Sequence, residues 1–157
     1  MDQATTDQAE HAMDLALQEA ERAWQRGDWP VGAALLDAQG TLLALGSNRV
    51  NSGRDLTLHA EIDVIRRATE AGADARIAGG TLISTMEPCP MCAWALRLAG
   101  IGTLVLGARH ADLQRTDLGR YTVESFGELT GYAPALITGI RRDECAAMRA
   151  RPLRPAG

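Results

Sequence analysis

A three-layer α/β fold, with helices on both faces of a mixed sheet of about five strands, is what the order of elements in this chain predicts. Two observations point there. Short apolar runs with strand character alternate along the sequence with longer stretches of helical periodicity, the pattern of an α-β-α sandwich. The chain has 157 residues, 46% hydrophobic and 23% charged. That is one ordinary globular domain, residues 1–157, able to bury about 70% of its unfolded surface without disulfides.

Taken in order, residues 6–26 carry Ala9, Met13, Leu15, Leu17, Ala20 and Trp24 at roughly helical spacing, with Thr6 or Asp7 as N-cap. Residues 31–36 and 41–45 are apolar runs joined by Asp37-Ala38-Gln39-Gly40, a hairpin whose last connecting residue tolerates a left-handed backbone. A polar loop, residues 48–55, leads to a helix carrying Ile62, Ile65, Ala68 and Ala71 and ending near Gly72. Residues 81–85 read as a strand that Glu87-Pro88 interrupts, and Ala93, Trp94, Leu96 and Leu98 belong to the next helix. Residues 102–107 form a fourth strand, 108–131 a mixed segment with little strand signal, 135–138 a short fifth strand, and 141–149 a last helix. The tail from Arg151 to Pro155 reads as loose.

Two short motifs carry chemistry: His59-Ala60-Glu61, and Pro88-Cys89-Pro90-Met91-Cys92. Cys89 and Cys92, three residues apart at a helix start, fall on one face and can share an ion. Pro88 and Pro90 suit that position because a missing N–H costs little there, and the helix dipole favours thiolates. His59 supplies a third ligand from another helix start. Three ligands leave one tetrahedral position of a zinc ion open, the arrangement of a catalytic site. Glu61, off the ligand face, is placed for general acid/base work on the water that fills that position. Either motif alone has other readings, a redox pair or coincidental core cysteines. In this order they match the zinc-deaminase pattern H-x-E…P-C-x-x-C.

The charge is mildly acidic, -4 with all 16 basic residues arginine and an isoelectric point near 5.3, which speaks against a surface built throughout for polyanions. Three cysteines, acidic residues where a signal peptide would be basic, and no apolar stretch of membrane-spanning length lead to the expectation of a cytoplasmic protein with no membrane contact.

From about Trp29 to Arg109, and again over residues 139–148, the chain resembles the cytidine deaminase superfamily, in particular its branch of tRNA adenosine deaminases and guanine or cytosine deaminases. The motifs that carry this are Pro30-Val31-Gly32, Ser47-Asn48-Arg49, Thr57 before His59-Ala60-Glu61, Glu87 before the cysteine motif, and Gly107-Ala108-Arg109. The resemblance implies a cytidine deaminase-like sandwich, one zinc ion per subunit on His59, Cys89 and Cys92, a proton shuttle at Glu61, and substrate contacts from Asn48 and the backbone N–H groups of Ala60 and Cys89. It also implies a homodimer. After Arg109, tRNA-acting relatives have an acidic residue and a basic stretch, whereas this chain has His110-Ala111-Asp112, closer to guanine-deaminase relatives. In those a second acidic residue helps proton transfer, with Asp112 and Asp117 as candidates. The resulting expectation is a hydrolytic deaminase of a free nucleobase or nucleoside, an aminopurine such as guanine ahead of cytosine. The alternatives are a tRNA adenosine deaminase forming inosine and a non-catalytic zinc-binding scaffold. Cys145 is expected as a buried apolar filler, and Trp24, Trp29 and Trp94 as core or subunit-contact residues.

Overall fold

A computed structural model of the chain describes residue 1 and residues 3–155; the expected domain limits at 156 and 157 and the acidic Asp2 lie outside the described residues. The order is α1 (Gln3–Arg26), β1 (Gly32–Leu36), β2 (Leu42–Ser47), α2 (Ala60–Glu70), β3 (Thr81–Met86), α3 (Pro90–Leu98), β4 (Thr103–Ala108), α4 (Val123–Thr130), β5 (Ala135–Thr138) and α5 (Arg142–Arg149). Five strands form one mixed sheet in the order β2-β1-β3-β4-β5. β1 runs antiparallel to both β2 and β3, and β3, β4 and β5 are parallel.

Side-chain alternation along the strands sorts the core into two faces. Ala34, Leu36, Ile83 and Val105 meet Met13, Ala16 and Leu17 of α1 and Cys145 of α5. Ala33, Leu35, Leu82, Leu104 and Leu106 meet Ala60, Val64 and Ala68 of α2, Leu96 of α3 and Val123 of α4. This is the expected three-layer sandwich. Strands buried on both faces explain the near-continuous apolar runs.

Two glycines let helices lie close against the sheet. A Cβ on Gly32 would run into the Ala16 carbonyl of α1, and one on Gly46 would come within 2.6 Å of the Val64 nitrogen in α2. Gly107 leaves similar room for the Cys145 sulfur, and Cys145 is fully buried, with its thiol pushed up to about 12, chiefly by burial.

Three expectations change. The mixed segment after β4 contains a full helix, α4, capped by Thr122, whose hydroxyl accepts from the Ser125 N–H at 3.0 Å. Gly127, which hid it, is there because a Cβ would approach the Tyr132 carbonyl at 2.6 Å. The tail is tied down: the Trp24 indole donates to the Pro152 carbonyl at 2.9 Å, and the guanidinium of Arg151 lies 4.0 Å from the Trp24 ring centroid. Of the tryptophans expected as core or subunit-contact residues, Trp24 is half-buried, while Trp29, 36% exposed, and Trp94, 45% exposed, lie outside the core. Among the described residues no helix is long and apolar enough to cross a membrane.

Replacing Gly32 by Val should force α1 off the sheet and lower unfolding free energy by about 1–3 kcal/mol or more, measured by denaturant titration, whereas the same change at Gly72, where a Cβ meets nothing, should cost only backbone strain.

Candidate active site

The sheet brings its reactive residues to one edge. β1 begins there and β2, β3 and β4 end there: Gly32 pairs with Ser47, Ala33 with Ser84, and Met86 with Ala108. The chain leaving β2 carries Asn48, and that leaving β3 carries Glu87 to Cys89. α2 and α3 start at the same edge, with His59 and Cys89 as their N-cap residues. Ligands at this edge therefore face two helix N-termini, whose partial positive charge favours thiolate.

His59, Cys89 and Cys92 form a cluster whose ligand atoms lie within 4.8 Å of one another. The His59 Nδ1 is 3.6 Å from the Cys89 Sγ and 3.5 Å from the Cys92 Sγ. A tetrahedral zinc ion with its usual bond lengths of about 2.3 Å to sulfur and about 2.0 Å to nitrogen would set these separations near 3.6 Å. The donor set and its spacing thus fit zinc. Between themselves the sulfurs keep one charge. A hydrogen bond from Cys92, above all, draws the Cys89 thiol down to about 4, and the same bond, reinforced by burial, pushes Cys92 up. Ionisation of both calls for a cation between them.

Glu61 is buried in the first turn of α2, and burial raises its carboxyl above the usual range. The Ser84 hydroxyl lies 3.5 Å from its Oε1. Asn48 is also buried. Its side-chain oxygen accepts from the Val50 N–H at 3.1 Å and its backbone N–H donates to the Val31 carbonyl at 3.0 Å. With the oxygen so committed, the amide NH₂ is the end left for a ligand. The loop is anchored by Asp28, fully buried, which accepts from the Asn51 and Ser52 N–H groups and from Arg26.

A cavity of roughly 410 Å³ contains His59, Ala60, Glu61, Cys89 and Asn48, together with Trp29, Arg115, Asp117 and Arg149. Of the two acidic candidates after β4, the fold brings Asp117 to this cavity but not Asp112. Asp112 accepts from the Arg109 N–H at 2.7 Å and from the Arg142 Nε at 2.9 Å, closing a 3-10 turn and pinning α5. Asp117 is held by Arg115, whose Nε donates to it at 3.0 Å.

Several contributors had no role at the site assigned from the sequence. Burial would push the Glu87 carboxyl up, but the Arg109 guanidinium and the N–H groups of His110 and Val123 outweigh it and hold it below its ordinary range. One carboxylate thereby joins the cysteine loop, the β4 exit and the start of α4. Its place directly before Pro88-Cys89 was the available signal. The Tyr121 hydroxyl donates to the Pro88 carbonyl at 2.7 Å. Arg115, Arg149 and Trp29 lie far apart in sequence, and only the fold shows that they share a cavity.

Residues 6–108 match the family model for the cytidine and deoxycytidylate deaminase zinc-binding region. The tRNA-specific adenosine deaminase of Agrobacterium fabrum is 39% identical over 137 residues, covering 87% of this chain and 88% of the relative. That of Bacillus subtilis is 32% identical over 143 residues, 90% of this chain and 86% of the relative. A solved structure from work on A-to-I editing by tRNA:A34 deaminases superposes with a TM-score of 0.76 at 38% identity, covering 88% of this chain and 98% of its own. The guanine deaminase of Nitrosomonas europaea superposes with a TM-score of 0.74 at 29% identity, over 89% and 81%.

Purified protein should carry about one zinc per chain by elemental analysis, and Cys92→Ala should lose most of it, since two remaining protein ligands do not hold the ion. Tyr121→Phe, which leaves the Pro88 carbonyl with only the more distant His110 Nε2 at 3.4 Å, should keep the metal and cost about 1–3 kcal/mol of stability in a denaturant titration.

Proposed function

The chain belongs to the cytidine and deoxycytidylate deaminase zinc-binding family, and from that premise we propose that it is a tRNA adenosine deaminase, converting an adenosine of its substrate RNA to inosine with release of ammonia. The deaminase class is given by the family; the choice of substrate is the proposal. Its main support is the 39% identity with a tRNA-specific adenosine deaminase across nearly the full length of both chains. The absence of a basic stretch after Arg109 pointed instead to a free base. Arg115 and Arg149 at the cavity supply positive charge from other positions, which weakens that objection.

His59, Cys89 and Cys92 would hold the zinc ion, which when bound would supply the Lewis acidity that makes water a nucleophile at neutral pH. Glu61 is the proton carrier. It takes one proton of the attacking water and delivers it to the ring nitrogen beside the amine-bearing carbon, then takes the second proton from the newly added hydroxyl and passes it to the amine as the carbon–nitrogen bond breaks and ammonia leaves. Its raised pKa suits a group that must hold a proton between two transfers. The Asn48 amide donates to an acceptor on the base or sugar. The N–H groups of Ala60 and Cys89, at helix starts, are the backbone donors for substrate polar atoms.

A second reading, deamination of free guanine, is supported by the Nitrosomonas europaea superposition and by Asp117 in the cavity as the second proton-transfer group. In both readings residues 1–157 act as one domain in the cytoplasm. A homodimer is also part of the proposal: Trp94 and Leu98 of α3, 45% and 71% exposed, and Leu129 of α4, 87% exposed, are apolar residues that a second copy would cover.

Incubation with tRNA should yield inosine in the RNA, and ammonia from guanine without inosine would favour the second reading. Glu61→Ala should keep its zinc and lose about 100-fold or more in turnover; an unchanged rate would remove Glu61 from the mechanism, and no deamination by wild type would leave only a zinc-binding scaffold. Trp94→Glu should shift the protein toward monomer in sedimentation.

A further inference from the structure

The catalytic cavity has a cation with no ion-pair partner among the described residues. Arg149, at the end of α5, lies with its guanidinium carbon 4.6 Å from the Trp29 ring centroid, and among the described residues no carboxylate stands at ion-pair distance from it. Arg115 and Arg149 line the same cavity, and burial followed by the charge of Arg115 lowers the Arg149 pKa, with the charge of Asp117 acting the other way. Arg115 has a single carboxylate partner, Asp117, whose side chain is 60% exposed and free to turn to solvent. Trp29, Arg115 and Arg149 line both the cavity holding Glu61 and a neighbouring one of about 510 Å³ that runs past Leu113 and Pro152. They therefore stand where the two cavities meet.

A guanidinium that is half-buried, stacked and unpaired is costly to keep, and the cost is recovered when a ligand brings the matching anion. A neutral purine brings none. The planar, multidentate donor set of two arginines fits the tetrahedral oxygens of a phosphate, and an aromatic plate fixes one guanidinium in advance. We propose that Arg149, seated on Trp29, and Arg115 clamp the phosphate attached to the nucleoside whose base is deaminated. The base enters toward Glu61 and Asn48, and the phosphate stays at the junction of the two cavities. This rests on the reading of the zinc cluster as the deamination site. It identifies the substrate chemically as a nucleotide unit, whether within an RNA strand or as a free monophosphate.

The test uses the full-length, zinc-loaded protein and three probes: adenosine, adenosine 5'-monophosphate, and an RNA hairpin with adenosine in its loop. In wild type the monophosphate and the hairpin should bind roughly tenfold or more tighter than adenosine, as expected of charge-assisted hydrogen bonds. The preference should weaken steeply with salt, as counterion release requires. In Arg149→Gln the phosphate-to-nucleoside affinity ratio should fall by about tenfold, with Arg149→Lys recovering part of it. A wild-type ratio near one, or the same ratio in Arg149→Gln as in wild type, overturns the clamp. If Arg149→Gln does not fold, the wild-type ratio and its salt dependence decide. Inosine in the hairpin with no change of ratio would leave the tRNA reading standing without the clamp. Turnover of the monophosphate but not the hairpin would leave the clamp standing without the tRNA reading.

Discussion

Two thiols and an imidazole within 4.8 Å of one another repel or desolvate one another unless something holds them, and most of the local architecture serves that end. The ligands come from the starts of two helices, α2 and α3, that reach the same edge of the sheet from different connections. Neither helix caps itself with a side chain. The residues at those positions, His59 and Cys89, are instead ligands. The stabilisation that a serine or aspartate cap would have given is forgone, and about 1 kcal/mol per helix is the usual scale of that loss. The opposing contribution comes from the Glu87 carboxylate, which ties three segments together around the cysteine loop, and from Tyr121 and its bond to the Pro88 carbonyl.

Much of this was legible in the sequence because it is local. The strands at 81–86 and 103–108 are short apolar runs between turn residues, and two-sided burial makes such runs continuous. Cys89 and Cys92 could be read because their spacing mirrors one turn of helix, and His59 and Glu61 because a two-residue spacing sets the carboxylate off the ligand face. α4 could not, since Gly127 and the β-branched Val123 and Thr130 weaken its propensity, and its existence depends on Tyr132 and Val123 finding partners on the sheet. Nor could the cavity wall. Trp29, Arg115 and Arg149 are assembled by three separate chain segments, and no periodicity links them.

The net charge illustrates the same limit. An acidic chain argues against a broad polyanion-binding surface, yet most arginines here are neutralised by neighbours: Arg109 by Glu87 and Glu124, Arg141 by Asp14 and Glu144, Arg142 by Asp112. Composition sums over these pairs. What matters for an anionic ligand is the cation left over, and Arg149 is placed at the cavity that holds the zinc ligands.

The stretch that follows Arg149 is fastened to the far end of α1. Trp24 bonds the Pro152 carbonyl, Arg151 reaches Glu21, and both Arg151 and Arg154 lie over the Trp24 ring. Trp24 and Trp29 flank the turn out of that same helix, so the strap and the aromatic seat of Arg149 are mechanically one piece. One short segment thus carries both the anchor of residues 151–154 and the aromatic plate beneath Arg149, so a substitution at Trp24, well away from the zinc ligands, would reach the wall of the catalytic cavity.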